Sequence, residues 1–143
     1  MTDRAIFQVS LKVLLRDGNK VLFPRSVDGD IDLPGGRIDV GEEALALEDV
    51  IRREVREELG ENLQFRLGKL LFVYRILRRE DAGWKFVMVY DAEYLGGDIA
   101  LSQEHASYEW VERDAYEVKQ ADFFEDDREK YEAFRDHFDS LKK

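Results

Sequence analysis

The stretch from Arg52 to Gly60 constrains this chain most, because of how a helix would distribute its charges. At about 100° per residue, Glu54, Glu57 and Glu58 fall inside or beside the apolar arc of the helix. The three arginines fall on the other side, away from these carboxylates. We therefore expect three acidic side chains grouped next to the core. The apolar arc comprises Leu47, Val50, Ile51, Val55 and Leu59, and the arginines are Arg52, Arg53 and Arg56.

A charged run of this kind is usually a solvated helix face, with Glu placed four positions before Lys or Arg. Here Glu54 and Glu58 form a like-charged pair at that spacing. In water such a pair costs roughly 0.2–0.5 kcal/mol, and the cost rises near a core. A divalent cation removes this cost, because Mg²⁺ selects carboxylate oxygens as ligands. The geometry thus favours a metal site over a solvated face.

Composition narrows the class of protein further. The chain has 143 residues, 44% of them hydrophobic, which is enough for one globular domain spanning residues 1–143. The net charge of −10 argues against a broad nucleic-acid-binding surface. A small phosphorylated substrate stays compatible with it, since a bound metal reverses the charge locally. No cysteine is present, so disulfides, a thiolate nucleophile and a cysteine-based zinc site are excluded.

Hydropathy predicts neither a membrane span nor an apolar signal segment, so we expect no membrane association and a cytoplasmic location. Alternating and amphipathic segments predict an α+β or α/β layered domain with a mixed sheet, and with the acidic helix packed on it. The predicted strands are 7–15, 20–23, 63–67, 69–77, 84–94 and 108–111, and the predicted helices are 48–59 and 126–141.

The dipeptide Gly35-Gly36 lets the backbone turn sharply and approach another group closely. Its position just ahead of the acidic helix indicates that it lines a site. Arg25 is either a surface residue or a contact for substrate phosphate. His105 and His137 are too few and too separate for a histidine metal site, and we expect His137 on a helix surface.

These residues resemble a known family. Gly36, then Glu42, then the run from Arg53 to Gly60 are similar to the Nudix box of Nudix hydrolases. That box reads Gly, five residues, Glu, seven residues, then Arg-Glu-apolar-any-Glu-Glu-any-Gly-apolar. The run Arg-Glu-Val-Arg-Glu-Glu-Leu-Gly is a specific match. The lead-in Leu33-Pro34-Gly35-Gly36 and the later segment Glu109-Trp110-Val111 also resemble the family.

The chain departs from the family pattern in its spacing. Ten residues rather than seven separate Glu42 from Arg53. A three-residue insertion in the loop around 43–47 keeps the helix intact, whereas an insertion inside the helix would rotate its halves by roughly 60°. Either Glu42 or Glu43 then pairs with Arg53. Ile31 stands where many members have Trp, and Glu61 occupies an apolar position whose packing Leu63 can supply.

The resemblance implies a fold, an activity and a set of roles. The fold is a Nudix-type α/β/α sandwich of the α+β class with a central mixed sheet. The activity is hydrolysis of a nucleoside diphosphate linked to another moiety, with Mg²⁺ or Mn²⁺. Glu57, Glu58 and the Gly35 carbonyl would be metal ligands; Glu54 and Glu104 would each be a ligand or the base. Gly36 and Arg25 are expected to bind substrate, and Glu42, Arg53 and Gly60 to have structural roles.

Several questions stay open at this point. A Nudix-fold binding module without catalysis is the alternative from another class, although all three helix carboxylates are present. An isomerase acting on isopentenyl diphosphate commonly uses a cysteine, which this chain lacks. Both prolines, Pro24 and Pro34, precede the end of the box, which weighs against ADP-ribose as substrate. The substrate classes still open are dinucleoside polyphosphates, nucleotide sugars, oxidised nucleoside triphosphates and RNA 5′ ends. Whether the protein forms a homodimer is open as well.

Overall fold

The computed structural model describes residues 3–78, 80 and 83–142. Residues 79, 81 and 82, in the charged segment between the predicted strands 69–77 and 84–94, lie outside the described residues. Within the described part, no helix is both long and apolar enough to span a bilayer. The elements in chain order are β1 (Gln8–Asp17), β2 (Lys20–Ser26), β3 (Gly35–Arg37), α1 (Leu47–Leu59), β4 (Gln64–Arg78), β5 (Gly83–Gly96), β6 (His105–Glu112), a 3₁₀ turn (Gln120–Asp122) and α2 (Arg128–Leu141).

The strands form one mixed sheet in the order β4-β5-β1-β2-β6, and β3 also pairs with β1. The pairing of β1 with β5 is parallel, whereas the other pairs are antiparallel. Two strands share the second edge of β1: β2 pairs at Arg16 and Asp17, and β3 pairs from Ser10 to Lys12. The sheet therefore forks along β1, between β2 and β3.

Each face of the sheet carries one helix. On one face, Leu11, Val13 and Leu15 of β1 are fully buried in a cluster with the apolar side of α1, as the alternation in β1 predicts. On the other face, α2 contributes Phe134 and Phe138 to a second cluster. The architecture is thus the expected α/β/α sandwich. The second cluster also includes Leu14, Phe23, Ile31, Leu33, Val87 and Val89.

Several boundaries differ from the prediction. One strand, β4, replaces the two predicted at 63–67 and 69–77, because register irregularities between Leu67 and Phe72 absorb the break in alternation. β6 begins at His105, ahead of the predicted strand 108–111, because His105 pairs with Ser26 of β2. His137 is half-buried rather than a plain surface residue, and its ring centroid lies 5.1 Å from that of Phe72.

Candidate active site

Helix α1 places two carboxylates on its buried side. Glu54 and Glu58 are 9% and 7% exposed, although they are charged residues one helical turn apart. The Glu57 side chain is 58% exposed and lies at the border of that face. The helix ends as predicted at Gly60, which has a φ of 99° and donates its backbone N–H to the Arg56 carbonyl. The grouping of acidic side chains beside the core is therefore observed.

Strand β3 brings two glycines against these carboxylates. The backbone N–H of Gly35 donates to Oε2 of Glu58 over 2.8 Å. Gly35 has a φ of 137°, and a Cβ there would collide with the backbone of Leu11. A Cβ on Gly36 would overlap the carboxylate of Glu54. Both glycines are needed because the strand passes so close to β1 and α1.

The loop before α1 is fastened to the helix by an ion pair. Arg53 donates to both carboxylate oxygens of Glu42, over 2.8 and 2.6 Å. Glu43 instead accepts from the backbone N–H of Gly41, so Glu42 takes the pairing role left open by the sequence. Residues 43–46 lie in the loop ahead of an unbroken helix, which fits extra residues in that loop.

The contacts of Arg53 differ from one expectation based on the sequence. Its guanidinium donates to Glu54 over 2.8 Å and to Glu57 over 3.2 Å. The expectation that the arginines of the helix lie away from its carboxylates is therefore wrong for Arg53. The helical wheel places the Cα atom correctly, but the long side chain folds along the helix surface to reach its neighbours.

Lys12, Asp32 and His105 form a contact group beside the carboxylates that was not predicted from sequence. The ammonium of Lys12, on β1, lies 3.3 Å from Oδ1 of Asp32 and 3.4 Å from the Gly35 carbonyl oxygen. The ring Nε2 of His105 lies 3.0 Å from the Asp32 carbonyl oxygen and 3.4 Å from its Oδ2. Lys12 could have been identified from the sequence, since it is a charged residue inside the apolar strand.

The electrostatics of these groups follow from burial and neighbouring charge. Burial raises the pKa of Glu58 to about 7, against the opposing effect of Lys12. Burial alone would lower the pKa of Lys12, but the carboxylates of Asp32 and Glu58 outweigh it and raise that pKa. Burial would raise the pKa of Asp32, but Lys12 and His105 hold it well below its usual range. Lys12 is thus a fixed cation at neutral pH.

These side chains surround one cavity of about 390 Å³. It brings together Glu54, Glu57, Glu58 and Glu104 with both glycines of β3, as the sequence predicts. Basic residues line the same cavity, so it can accommodate anionic phosphate beside the carboxylates. These basic residues are Lys12, Arg37, Arg53 and Lys85.

Arg25 has a different environment. Its guanidinium donates to the Gly29 carbonyl, to Glu109 and to Asp122 over 2.9 to 3.1 Å. Among the described residues, it is not part of the wall of the carboxylate cavity. The structure therefore places Arg25 in a network linking β2, β6 and the 3₁₀ turn, away from this cavity, and its contact with substrate phosphate stays a prediction.

The donor set fits a hard divalent cation. Carboxylate oxygens and a backbone carbonyl are the ligands that Mg²⁺ and Mn²⁺ prefer. In residues 3–78, 80 and 83–142, no three acidic or histidine side chains converge tightly enough to hold an ion as they stand. Glu54 accepts a hydrogen bond from Arg53, and Glu58 accepts one from the backbone N–H of Gly35. These donors compensate for the repulsion between the two like-charged carboxylates.

Comparison with known proteins agrees with the geometry. The model of the NUDIX domain matches residues 7–134. The chain belongs to the Nudix hydrolase family. Its curated relatives include proteins named nucleoside triphosphatase NudI, from Salmonella paratyphi B at 32% identity and from Salmonella schwarzengrund at 33%. Each alignment covers 101 residues, 65% of this chain and 66% of the relative, so the chain spans just under two thirds of their length.

Solved Nudix structures share the fold. The MutT protein of Methanosarcina mazei superposes with a TM-score of 0.70 at 23% identity, over 97% of both chains. The MutT NUDIX hydrolase of Burkholderia pseudomallei gives a TM-score of 0.66 at 21% identity, over 90% of this chain and 98% of its own. At these identities the likeness establishes the Nudix α/β/α architecture and not a shared substrate.

Proposed function

We propose that this Nudix protein is a metal-dependent pyrophosphohydrolase that cleaves a phosphoanhydride bond in a small nucleotide. The observation that supports it best is the pair Glu54 and Glu58, two buried carboxylates one helical turn apart on the wall of a polar cavity. Buried charges of the same sign are costly unless a cation joins them. The basic residues on the same cavity wall complement phosphate.

The proposed ligands of the divalent ion are Glu57 and Glu58 of α1 and the Gly35 carbonyl, and Glu54 and Glu104 would each be a further ligand or the base. When bound, the ion neutralises charge on phosphate oxygens and makes a bound water more acidic. Arg53 and Glu42 position these ligands, since Arg53 connects the loop to Glu54 and Glu57. The rigid helix keeps the carboxylates in register with β3.

The reaction is an attack of water on phosphorus. The water oxygen forms a bond to one phosphorus atom, the bridging P–O bond breaks, and the departing phosphate group takes the electron pair. The water proton passes to a carboxylate, either Glu54 or Glu104. Burial raises the pKa of Glu54, which makes it a better base than an exposed carboxylate. Glu104 lines the same cavity from the loop before β6.

We infer that the first substrate class to test is the nucleoside triphosphates. The curated relatives carry the name nucleoside triphosphatase, whereas solved neighbours include a UDP-X diphosphatase and an ADP-ribose pyrophosphatase. Lys12, Arg37 and Lys85 favour a chain of charged phosphates over a neutral sugar next to the metal. The net charge of −10 disfavours a long nucleic acid as partner.

A panel of nucleoside triphosphates, nucleotide sugars, dinucleoside polyphosphates and ADP-ribose, each with Mg²⁺, tests this function by product release. We expect turnover on at least one class, and a loss of roughly 100-fold or more in Glu57→Gln and Glu58→Gln, because each removes a ligand charge. Both variants should stay folded. Glu61→Gln, on an exposed residue just beyond the helix, is the control.

Two outcomes would contradict the proposal. Wild-type rates in both Glu57→Gln and Glu58→Gln would rule out the metal site assigned to α1. Tight binding of one nucleotide without hydrolysis of any would identify the protein as a nucleotide-binding module of the Nudix fold.

A further inference from the structure

We propose that Lys12 contacts the phosphate under attack: its ammonium, held by Asp32 beside Glu58 and the Gly35 carbonyl, binds a non-bridging phosphate oxygen. This inference rests on the proposed hydrolytic function and adds a residue outside the Nudix box to the site. Asp32 is the positioning residue for Lys12 in this arrangement.

The location of Lys12 calls for a reason. It lies on β1, paired on both edges, between Leu11 and Val13, which have no exposed surface. Its own side chain is only 15% exposed. Burying an ammonium group is unfavourable unless partners compensate for lost hydration, and an apolar residue would fill this position at no such cost. A cation at this position is therefore better explained by a role in binding than by a contribution to the stability of the fold.

Among the described residues, the acceptors that contact Lys12 do not saturate its hydrogen-bonding capacity. Its contacts with Asp32 and with the Gly35 carbonyl are 3.3 and 3.4 Å long. Charge-assisted hydrogen bonds are typically about 2.7–2.9 Å long, and an ammonium has three donors. Because Lys12 lines the cavity that holds the helix carboxylates, it has donor capacity left for a ligand there.

Asp32 has partners besides Lys12 that help to keep its carboxylate in place. The buried ring of His105 lies 3.4 Å from Oδ2 of Asp32 and contacts its carbonyl oxygen. Burial would raise the pKa of Asp32, but the charge of Lys12 lowers it most, and His105 and the charge of Lys130 lower it further. Asp32 therefore stays ionised between several positive or donating groups. Its fixed carboxylate then holds Lys12 towards Glu58 and Gly35.

A cation among metal ligands has opposite effects on the binding of the metal and on the binding of phosphate. It repels the divalent ion that Glu58 and the Gly35 carbonyl would bind, so on its own it weakens metal binding. It attracts the phosphate groups that the metal brings in, and it stabilises charge that develops on them during hydrolysis. Loss of a purely structural lysine would not separate metal binding from phosphate binding in this way, because it would disturb every ligand at once.

The test is Lys12→Met, which keeps the length of the side chain and removes the charge. We expect Mn²⁺ affinity, measured by calorimetry, to stay unchanged or rise by up to about tenfold as the repulsion disappears. Affinity for α,β-methylene-ATP with saturating Mn²⁺ should fall by about tenfold, and kcat by about 100-fold. Lys20→Met, on an exposed lysine of β2, is the matched control and should change none of these values.

Lys12→Met/Asp32→Asn removes both charges, and it provides the same measurements if the single variant folds poorly. Weaker Mn²⁺ binding with unchanged affinity for the analogue, or unchanged kcat, would overturn the proposal. Failure of the wild-type protein to bind the analogue or pyrophosphate with Mn²⁺ would overturn it as well. If the wild type binds the analogue but hydrolyses no nucleotide, only the proposed function fails, and binding still tests Lys12.

Discussion

At the residue scale, Gly36 shows how the site depends on a missing side chain. Its Cα lies so near α1 that a methyl group would overlap the Glu54 carboxylate. Unlike Gly35, Gly36 does not have a positive φ, so only this contact excludes a larger residue. The constraint therefore acts directly on the orientation of a proposed metal ligand.

Gly36→Ala should lower the free energy of unfolding by about 1–3 kcal/mol, because the new methyl group displaces Glu54. Turnover should fall with it, since the displaced carboxylate no longer meets the other ligands. Urea unfolding measures the first effect. In a Glu54→Ala background the same substitution should cost much less stability, because the obstructing carboxylate is gone. Strictly additive costs in the two backgrounds would contradict this account.

Sequence and structure agree unevenly on the residues of the site. Glu54 and Glu58 could be found from helical spacing, whereas the pairing of Arg53 with Glu42 or Glu43 came from the resemblance to the Nudix box, and the structure selects Glu42. Lys12 and Asp32 are 20 positions apart, and His105 is 73 positions from Asp32. Contacts between such distant residues depend on strand pairing, which local periodicity does not encode.

At the scale of elements, α2 supports the site from the opposite face of the sheet. Lys130 is almost fully buried, and its ammonium donates to the Ile31 carbonyl over 2.7 Å and lies 3.6 Å from Asp30. These contacts hold the backbone immediately before Asp32. The C-terminal helix is thus connected, through one side chain, to the segment that positions Lys12.

Lys130→Met should lower the free energy of unfolding by about 3–5 kcal/mol, because it leaves the buried carboxylate of Asp30 without its cation. Denaturant titration measures this loss. Lys130→Met/Asp30→Asn should recover part of it, since the uncompensated charge is removed. Arg128→Met, on the exposed side of the same helix, is the control and should have little effect. Equal losses in the single and double variants would show that packing, not charge, dominates.

Element boundaries could be predicted where apolar periodicity is strong, and less well where pairing decides them. α1 and β1 follow their apolar patterns closely. β6 extends back to His105 because β2 offers a partner there, and β4 continues past Leu67 because β5 accommodates an irregular register. Both outcomes depend on a second strand.

At the scale of the whole molecule, electrostatics should connect metal binding to stability. The chain carries a net charge of −10, and two of its carboxylates are buried side by side on α1. A divalent ion in the proposed site would relieve this local repulsion in the folded state only. Folding and ion binding should therefore favour each other.

Saturating Mg²⁺ or Mn²⁺ should raise the melting temperature, with a gain of about 2.7 kcal/mol in unfolding free energy at 100 times Kd. Differential scanning fluorimetry measures the shift, and EDTA should reverse it. Glu57→Gln and Glu58→Gln should reduce the shift, because each removes a proposed ligand. NaCl at matched ionic strength is the control; an equal shift with NaCl would indicate general charge screening instead.

The fold class could be predicted from the intermixed strand and helix patterns, together with the resemblance of the box to the Nudix family. The fork in the sheet could not. β1 shares one edge between β2 and β3, and the cavity is built around the β3 branch of this fork. No single segment carries that information, because the fork arises from three strands together.

Gly35 has a consequence for how such a site is studied. Its N–H holds Glu58, its carbonyl faces Lys12, and its backbone geometry admits no side chain. An alanine scan would find this position intolerant and would attribute the result to folding. The chemical role proposed for its carbonyl would stay hidden, because every substitution there keeps that oxygen while disturbing the strand. Replacement of the Gly35–Gly36 peptide bond by an ester, made by chemical ligation, would change the Gly35 carbonyl without adding a side chain. It would thereby separate the role of the carbonyl from the contribution of Gly35 to folding.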